Sequence, residues 1–140
     1  MYKLNCALLV DDDQTTNYLN QLLFKRLSVT ERLLVAFNGE EALALLEVHC
    51  REASEECPVL ILLDVKMPVM NGFEFLEAYA QRPHLHKQAV IIVMLTTSLH
   101  SQDVRRLEQL PIAGFLNKPL TKEKIDTLLQ HHFDRRLPVG

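Results

Sequence analysis

The sequence has no tryptophan, only four glycines and three cysteines among its 140 residues, and no excess of basic charge. Each shortage excludes something. Fifteen Lys and Arg against 18 Asp and Glu leave a net charge of −3. No basic surplus exists to neutralise DNA phosphates, so direct nucleic-acid binding is disfavoured. The cysteines, Cys6, Cys50 and Cys57, are too few for a disulfide framework and fit a reduced, cytoplasmic protein. Cys6 reads as a small buried hydrophobe, and Cys50 and Cys57 as incidental thiols in a polar loop. His49 lies beside them, but no further Cys or His pair completes a zinc site. Apolar runs such as Ala89 to Leu95 fall far short of the ~18 residues of a membrane span. Met1-Tyr2-Lys3-Leu4-Asn5 opens no long apolar segment, so neither secretion nor membrane insertion is expected. With 48% hydrophobic residues, the chain is also not disordered. Its length suits one domain over 1–140, with a core over about 5–134 and a frayed tail.

What is present is an alternation of two periodicities. Cys6 to Val10, Leu33 to Phe37, Val59 to Leu63, Val90 to Leu95 and the short Phe115-Leu116 read as buried strands. Between them lie helical spacings: Leu19, Leu22, Leu23 and Leu27; then Ala42, Leu45 and Leu46; then Phe75, Leu76 and Tyr79; then Val104 and Leu107; and last Ile125, Leu128, Leu129 and Phe133. Asn38 with Glu41 reads as a capping box, and Thr121 as the cap of the last helix. Five βα units with continuously apolar strands imply a parallel sheet covered on both faces, a three-layer α/β domain.

In open parallel sheets, ligands bind at the carboxyl ends of the strands. Asp11, Asp12 and Asp13 follow the first strand, Asp64 the third, Thr96 the fourth and Lys118 the fifth. Carboxylates brought this close repel unless one is protonated or a cation neutralises them. Hard oxygen ligands suit Mg²⁺. A hydroxyl and a lysine complete the parts of a phosphoryl-transfer site, where positioning and charge neutralisation dominate. A carboxylate can itself be the nucleophile.

Four segments, Leu8 to Asp13, Leu63 to Gly72, Met94 to Thr97 and Phe115 to Pro119, in this order, resemble the receiver domain of two-component response regulators. The resemblance covers nearly the whole chain and implies a flavodoxin-like (βα)₅ fold with strand order 2-1-3-4-5. It implies a signalling protein rather than an enzyme, one that catalyses only its own phosphorylation and dephosphorylation. Asp64 would be the phosphoacceptor. Asp12 would hold Mg²⁺ directly and Asp11 through water, with Asp64 and the carbonyl of Lys66 completing the set. Thr96 and Lys118 would grip phosphoryl oxygens, and Thr96 with Phe115 would form the switch. The implied partners are a histidine kinase or histidine phosphotransfer protein and a separate downstream effector protein, met through the fourth helix, fifth strand and fifth helix. The same likeness implies a cis Lys118–Pro119 bond.

The sequence departs from the family in places. A third aspartate, Asp13, follows the acidic pair and is expected to head the first helix. Thr97 stands where a smaller residue is usual; with Lys66 it suggests a long-lived aspartyl-phosphate. Pro111-Ile112 replaces the usual Gly-Ala before the fifth strand. No output domain follows, so a stand-alone type is expected. The rival reading is a haloacid-dehalogenase-like phosphatase with Asp11 as nucleophile, since Asp11 to Thr15 also satisfies that family's Asp-x-Asp-x-Thr pattern. Against it, the chain offers no room for a cap domain, no late acidic pair but Asp126 and Asp134, and no role for Asp64.

Overall fold

The computed structural model describes residues 3–52, 54–87, 90–97 and 101–133, with the backbone alone over 101–104. The elements alternate as the periodicities require: β1 Leu4–Val10, α1 Gln14–Arg26, β2 Thr30–Ala36, α2 Gly39–His49, β3 Leu60–Asp64, α3 Gly72–Ala80, β4 Ile91–Thr96, α4 Ser101–Glu108, β5 Gly114–Asn117 and α5 Lys122–Phe133. The strands form one sheet in the order β2-β1-β3-β4-β5, every neighbouring pair parallel. The tail beyond 133 and Asp134 lie outside the described residues.

Side chains on a strand alternate between faces, and here both faces are buried. Leu8, Val10, Ile61, Leu63, Ile92 and Met94 pack with α2, α3 and α4. Ala7, Leu9, Leu60, Leu62, Val93 and Leu95 pack with α1 and α5 through Phe24, Ile125, Leu128 and Leu129. Continuous apolar runs are therefore needed in the central strands. The edge strand β2 starts at Thr30, before the apolar run, and ends before Phe37, which is exposed. Two caps expected from sequence are in place: Asn38 accepts from the Glu41 N–H at 2.8 Å, and Thr121 from the Lys124 N–H at 3.2 Å.

Two expectations are overturned. Only half of the leucine stripe of α1 turns inward: Leu23 and Leu27 pack against the core, but Leu19 is 56% and Leu22 45% exposed, and the fully buried positions are Asn17, Asn20 and Phe24. The reason is phase. At 3.6 residues per turn 17, 20 and 24 share one side of the helix, which faces the sheet, and 19 and 22 lie on the other. Second, Cys50 and Cys57 are not incidental thiols but a disulfide, with Cα atoms 4.8 Å apart. Cys50 closes α2 through its N–H to the Leu46 carbonyl, and the following loop folds back so that Cys57 enters the same core. The argument from cysteine usage to a reducing compartment falls with it. Cys6 is the buried free thiol expected, pushed up to about 11 by burial.

Candidate functional site

The parallel register carries the strand ends to one rim. Val10 pairs with Leu63, Asp64 with Leu95, and Thr96 with Asn117. One step beyond Val10 the chain leaves the sheet as Asp11, level with Asp64. Ligand atoms of Asp11, Asp12 and Asp64 lie within 4.8 Å of one another. Lys118, one residue past β5, reaches across with Nζ 2.6 Å from Asp11 Oδ2 and 3.1 Å from Asp64 Oδ1. Lys118–Pro119 is cis, as the resemblance implied.

The three aspartates of the first loop divide their labour. Asp11 is buried; its Oδ1 accepts from the Asp13 N–H at 3.0 Å and its Oδ2 from Lys118. Asp12 is exposed. Asp13 is the N-cap of α1, accepting from the Thr15 N–H and the Thr16 hydroxyl, each at 3.0 Å. Its hydrogen bond from Thr16, followed by that from Thr15, holds its carboxyl below the usual range. Asp13 therefore heads the helix as expected.

Asp64 is the strained member. Burial first, then the charge of Asp11, push it up to about 6, with Lys118 pulling the other way. Burial would lower Lys118, but its hydrogen bond to Asp11 and the charge of Asp64 outweigh this, and the ammonium is held above its usual value. A cluster of three carboxylates against one ammonium retains excess negative charge, and its donors are all hard oxygens. It fits a divalent cation of the Mg²⁺ kind.

The loop after Asp64 is shaped by close backbone approaches. A Cβ on Gly72 would sit 2.7 Å from the Asp64 carbonyl oxygen and 2.6 Å from Met94 Cε, so only glycine lets α3 start against the end of β3. The Gly72 N–H donates to the Val65 carbonyl and the Gly39 N–H to the Met70 carbonyl, which ties the loop to α2 as well. Between these anchors the Met70 N–H reaches the Pro68 carbonyl, closing a three-residue turn on Val69 at φ 67°. That conformation is strained for a β-branched residue. Lys66 is exposed in this loop.

Thr96 is buried at the end of β4, and its carbonyl accepts from the Lys118 N–H at 2.8 Å. Phe115 lies on β5 beside Met94 and is half-buried against the core. Thr97 is exposed and faces α1 across a groove of about 790 Å³, lined also by Leu19, Leu22, Leu23, Lys118 and Pro119. Sequence reasoning missed this groove and the buried Asn17. Both follow from the phase of α1, for which periodicity alone offered no signal.

Residues 7–130 match the response regulator receiver domain. This chain belongs to that family. Among similar proteins, it is 32% identical to a probable methanogenesis regulatory protein, FilR2, of Methanothrix harundinacea, over 84% of this chain and 74% of that one. It is 31% identical to a probable chemotaxis protein CheY of Rhizobium etli, over 91% of each. Among solved structures, a two-component response regulator from Cytophaga hutchinsonii superposes with a TM-score of 0.80 at 26% identity, covering 96% of this chain and all of that one. The bacteriophytochrome response regulator AtBRR gives 0.76 at 28% identity, over 99% of each. The receiver domain is thus a module of two-component signalling, with an acidic pocket able to hold a metal. The phosphatase alternative gains no support: Asp126 lies on α5, where Gln130 donates to it. Among the described residues no helix is long and apolar enough to cross a membrane.

Proposed function

We propose that this receiver is a phosphorylation switch in which Asp64 takes a phosphoryl group from the phosphohistidine of a histidine kinase or phosphotransfer protein. The observation that carries the reading is Asp64 itself: a buried carboxylate, raised to about 6, between two further carboxylates and one lysine at a sheet rim. At neutral pH it is mostly ionised and can attack. Its Oδ forms the new bond to phosphorus, the N–P bond of the donor breaks, and the electron pair stays on the imidazole nitrogen. Mg²⁺, when bound, neutralises the carboxylates and the phosphoryl oxygens. The residues that would hold it are the exposed Asp12, Asp11, Asp64 and the carbonyl of Lys66. Lys118 leaves the carboxylates to hold one phosphoryl oxygen, and the Thr96 hydroxyl holds another. The signal leaves through α4, β5 and α5, with Thr96 and Phe115 as the switch, to a separate protein effector in the cytoplasm. The chain catalyses no reaction but its own phosphorylation and dephosphorylation.

The test is incubation with Mg²⁺ and acetyl phosphate, followed by intact mass and site mapping. One alkali-labile phosphoryl group on Asp64 is expected, absent in Asp64→Asn and without Mg²⁺. Label on Asp11 would overturn the reading in favour of phosphatase chemistry.

A further inference from the structure

Three residues of α1 are buried: Asn17, Asn20 and Phe24. Phe24 does what such a position ordinarily does and packs on the sheet. Asn17, 1% exposed, does something else. Its Nδ2 donates to the carbonyl of Asp11 at 2.8 Å and to that of Ala36 at 3.2 Å. One amide thereby joins the end of β1, the end of β2 and the start of α1. The β1–β2 ladder finishes at this point, where the Asp11 N–H donates to the Ala36 carbonyl at 3.1 Å. The arrangement carries a cost. Asn17 Oδ1 is buried with no hydrogen-bond partner, and an unpaired buried acceptor is unfavourable. A leucine would fill similar space without the unpaired acceptor but would leave the Asp11 carbonyl without its donor. Packing alone therefore does not account for an asparagine here.

What the amide fixes is the main chain of Asp11, the residue from which the acidic loop departs. The Asp11 carboxylate is aimed by that backbone, and the Asp12 carboxylate follows one residue later. We propose that Asn17 is a positioning residue for the acidic pair, clamping the Asp11 backbone so that both carboxylates stay directed at the cation facing Asp64. The inference rests on the receiver reading and adds to it a residue that touches neither cation nor phosphoryl group.

The experiment compares wild type, Asn17→Leu and Asn17→Ser in two measurements: Mg²⁺ affinity by titration calorimetry, and stability by denaturant unfolding. Outer partners of metal ligands typically contribute about 10–100-fold in affinity. Asn17→Leu is expected to lose some stability with the two hydrogen bonds and, while still folded, to bind Mg²⁺ about tenfold more weakly. Asn17→Ser, which keeps a donor, is expected to recover part of that loss although it packs worse. Phosphorylation by acetyl phosphate should need more Mg²⁺ in the leucine variant yet reach nearly the wild-type rate at saturation. A folded Asn17→Leu with wild-type Mg²⁺ affinity would overturn the proposal. Should the leucine variant not fold, a destabilised Asn17→Ser with unchanged Mg²⁺ affinity would overturn it equally. Wild type that binds no Mg²⁺ would bring down the receiver reading first, and this inference with it.

Discussion

Asp64 is held in a state that opposes folding when it is ionised. Its carboxyl is raised to about 6 by burial and by Asp11, so the native state binds that proton more tightly than the unfolded chain does. The linkage sign is the reverse of the usual carboxylate case. In metal-free protein the contribution of Asp64 to stability is greatest at low pH and falls as pH rises from about 4 to about 6, then levels. The displacement corresponds to at most about 3 kcal/mol. Solvent at the mouth of the pocket screens part of it, leaving about 1–2 kcal/mol. Asp64→Asn is therefore expected to be about 1–2 kcal/mol more stable than wild type at pH 8 in chelator, with the gap closing toward pH 4. Urea unfolding across that range tests it; a gap that widens as pH falls would show that the charge of Asp64 is not the cost. At this scale the sequence was informative where a polar residue ends an apolar run. Asp64, Thr96 and Lys118 stand out for that reason. Asn17 did not, because an asparagine in a polar helix looks solvated until the helix phase is known.

The element that defied its own periodicity is α1. Leucines at helical spacing ordinarily mark the buried face, but periodicity alone does not say which way a stripe points. Here Tyr18, Leu19 and Leu22 are left 60%, 56% and 45% exposed. Exposed apolar residues gathered on one helix mark an interaction surface. The groove that Leu19 and Leu22 border runs to Lys118, the residue that touches Asp64. A protein phosphodonor seated there would bring its phosphohistidine over the acceptor, whereas a small phosphodonor needs no such seat. Leu22→Glu is expected to slow phosphotransfer from a protein donor about tenfold, the worth of one good interface contact. Phosphorylation by acetyl phosphate should be unchanged. Equal slowing of both would mean that the substitution disturbs the site itself. The disulfide was illegible for a related reason. Cys50 and Cys57 stand seven positions apart in the sequence, and only the return path of the chain into β3 makes them neighbours.

The whole molecule was the most legible level. Five apolar runs alternating with helices leave few arrangements for a parallel sheet, and strand order 2-1-3-4-5 followed from the resemblance. What that pattern could not supply is how the far side of the sheet learns of Asp64. Thr96 ends β4 and is tied through its carbonyl to Lys118. On that side α4 is anchored by Leu107, 2% exposed, and by the Arg106 guanidinium lying 3.6 Å from the centre of the Phe73 ring on α3. In the proposed switch a phosphoryl group that draws in Thr96 would add no charge at α4, so it would act by shifting a balance between two packings. The Arg106–Phe73 contact holds α4 against α3 with about 0.5–1 kcal/mol, the worth of an exposed cation–π pair, and in the proposed switch it would favour the unphosphorylated packing. Arg106→Ala should therefore shift the population ratio about two- to fivefold toward the phosphorylated form without phosphate. In amide spectra, resonances of β4, α4, β5 and α5 should move on phosphorylation. In unphosphorylated Arg106→Ala the same resonances should lie part of the way along the same lines. Movements confined to α1 and α2, or displacements in the variant off those lines, would show that α4 is not the balance being tipped.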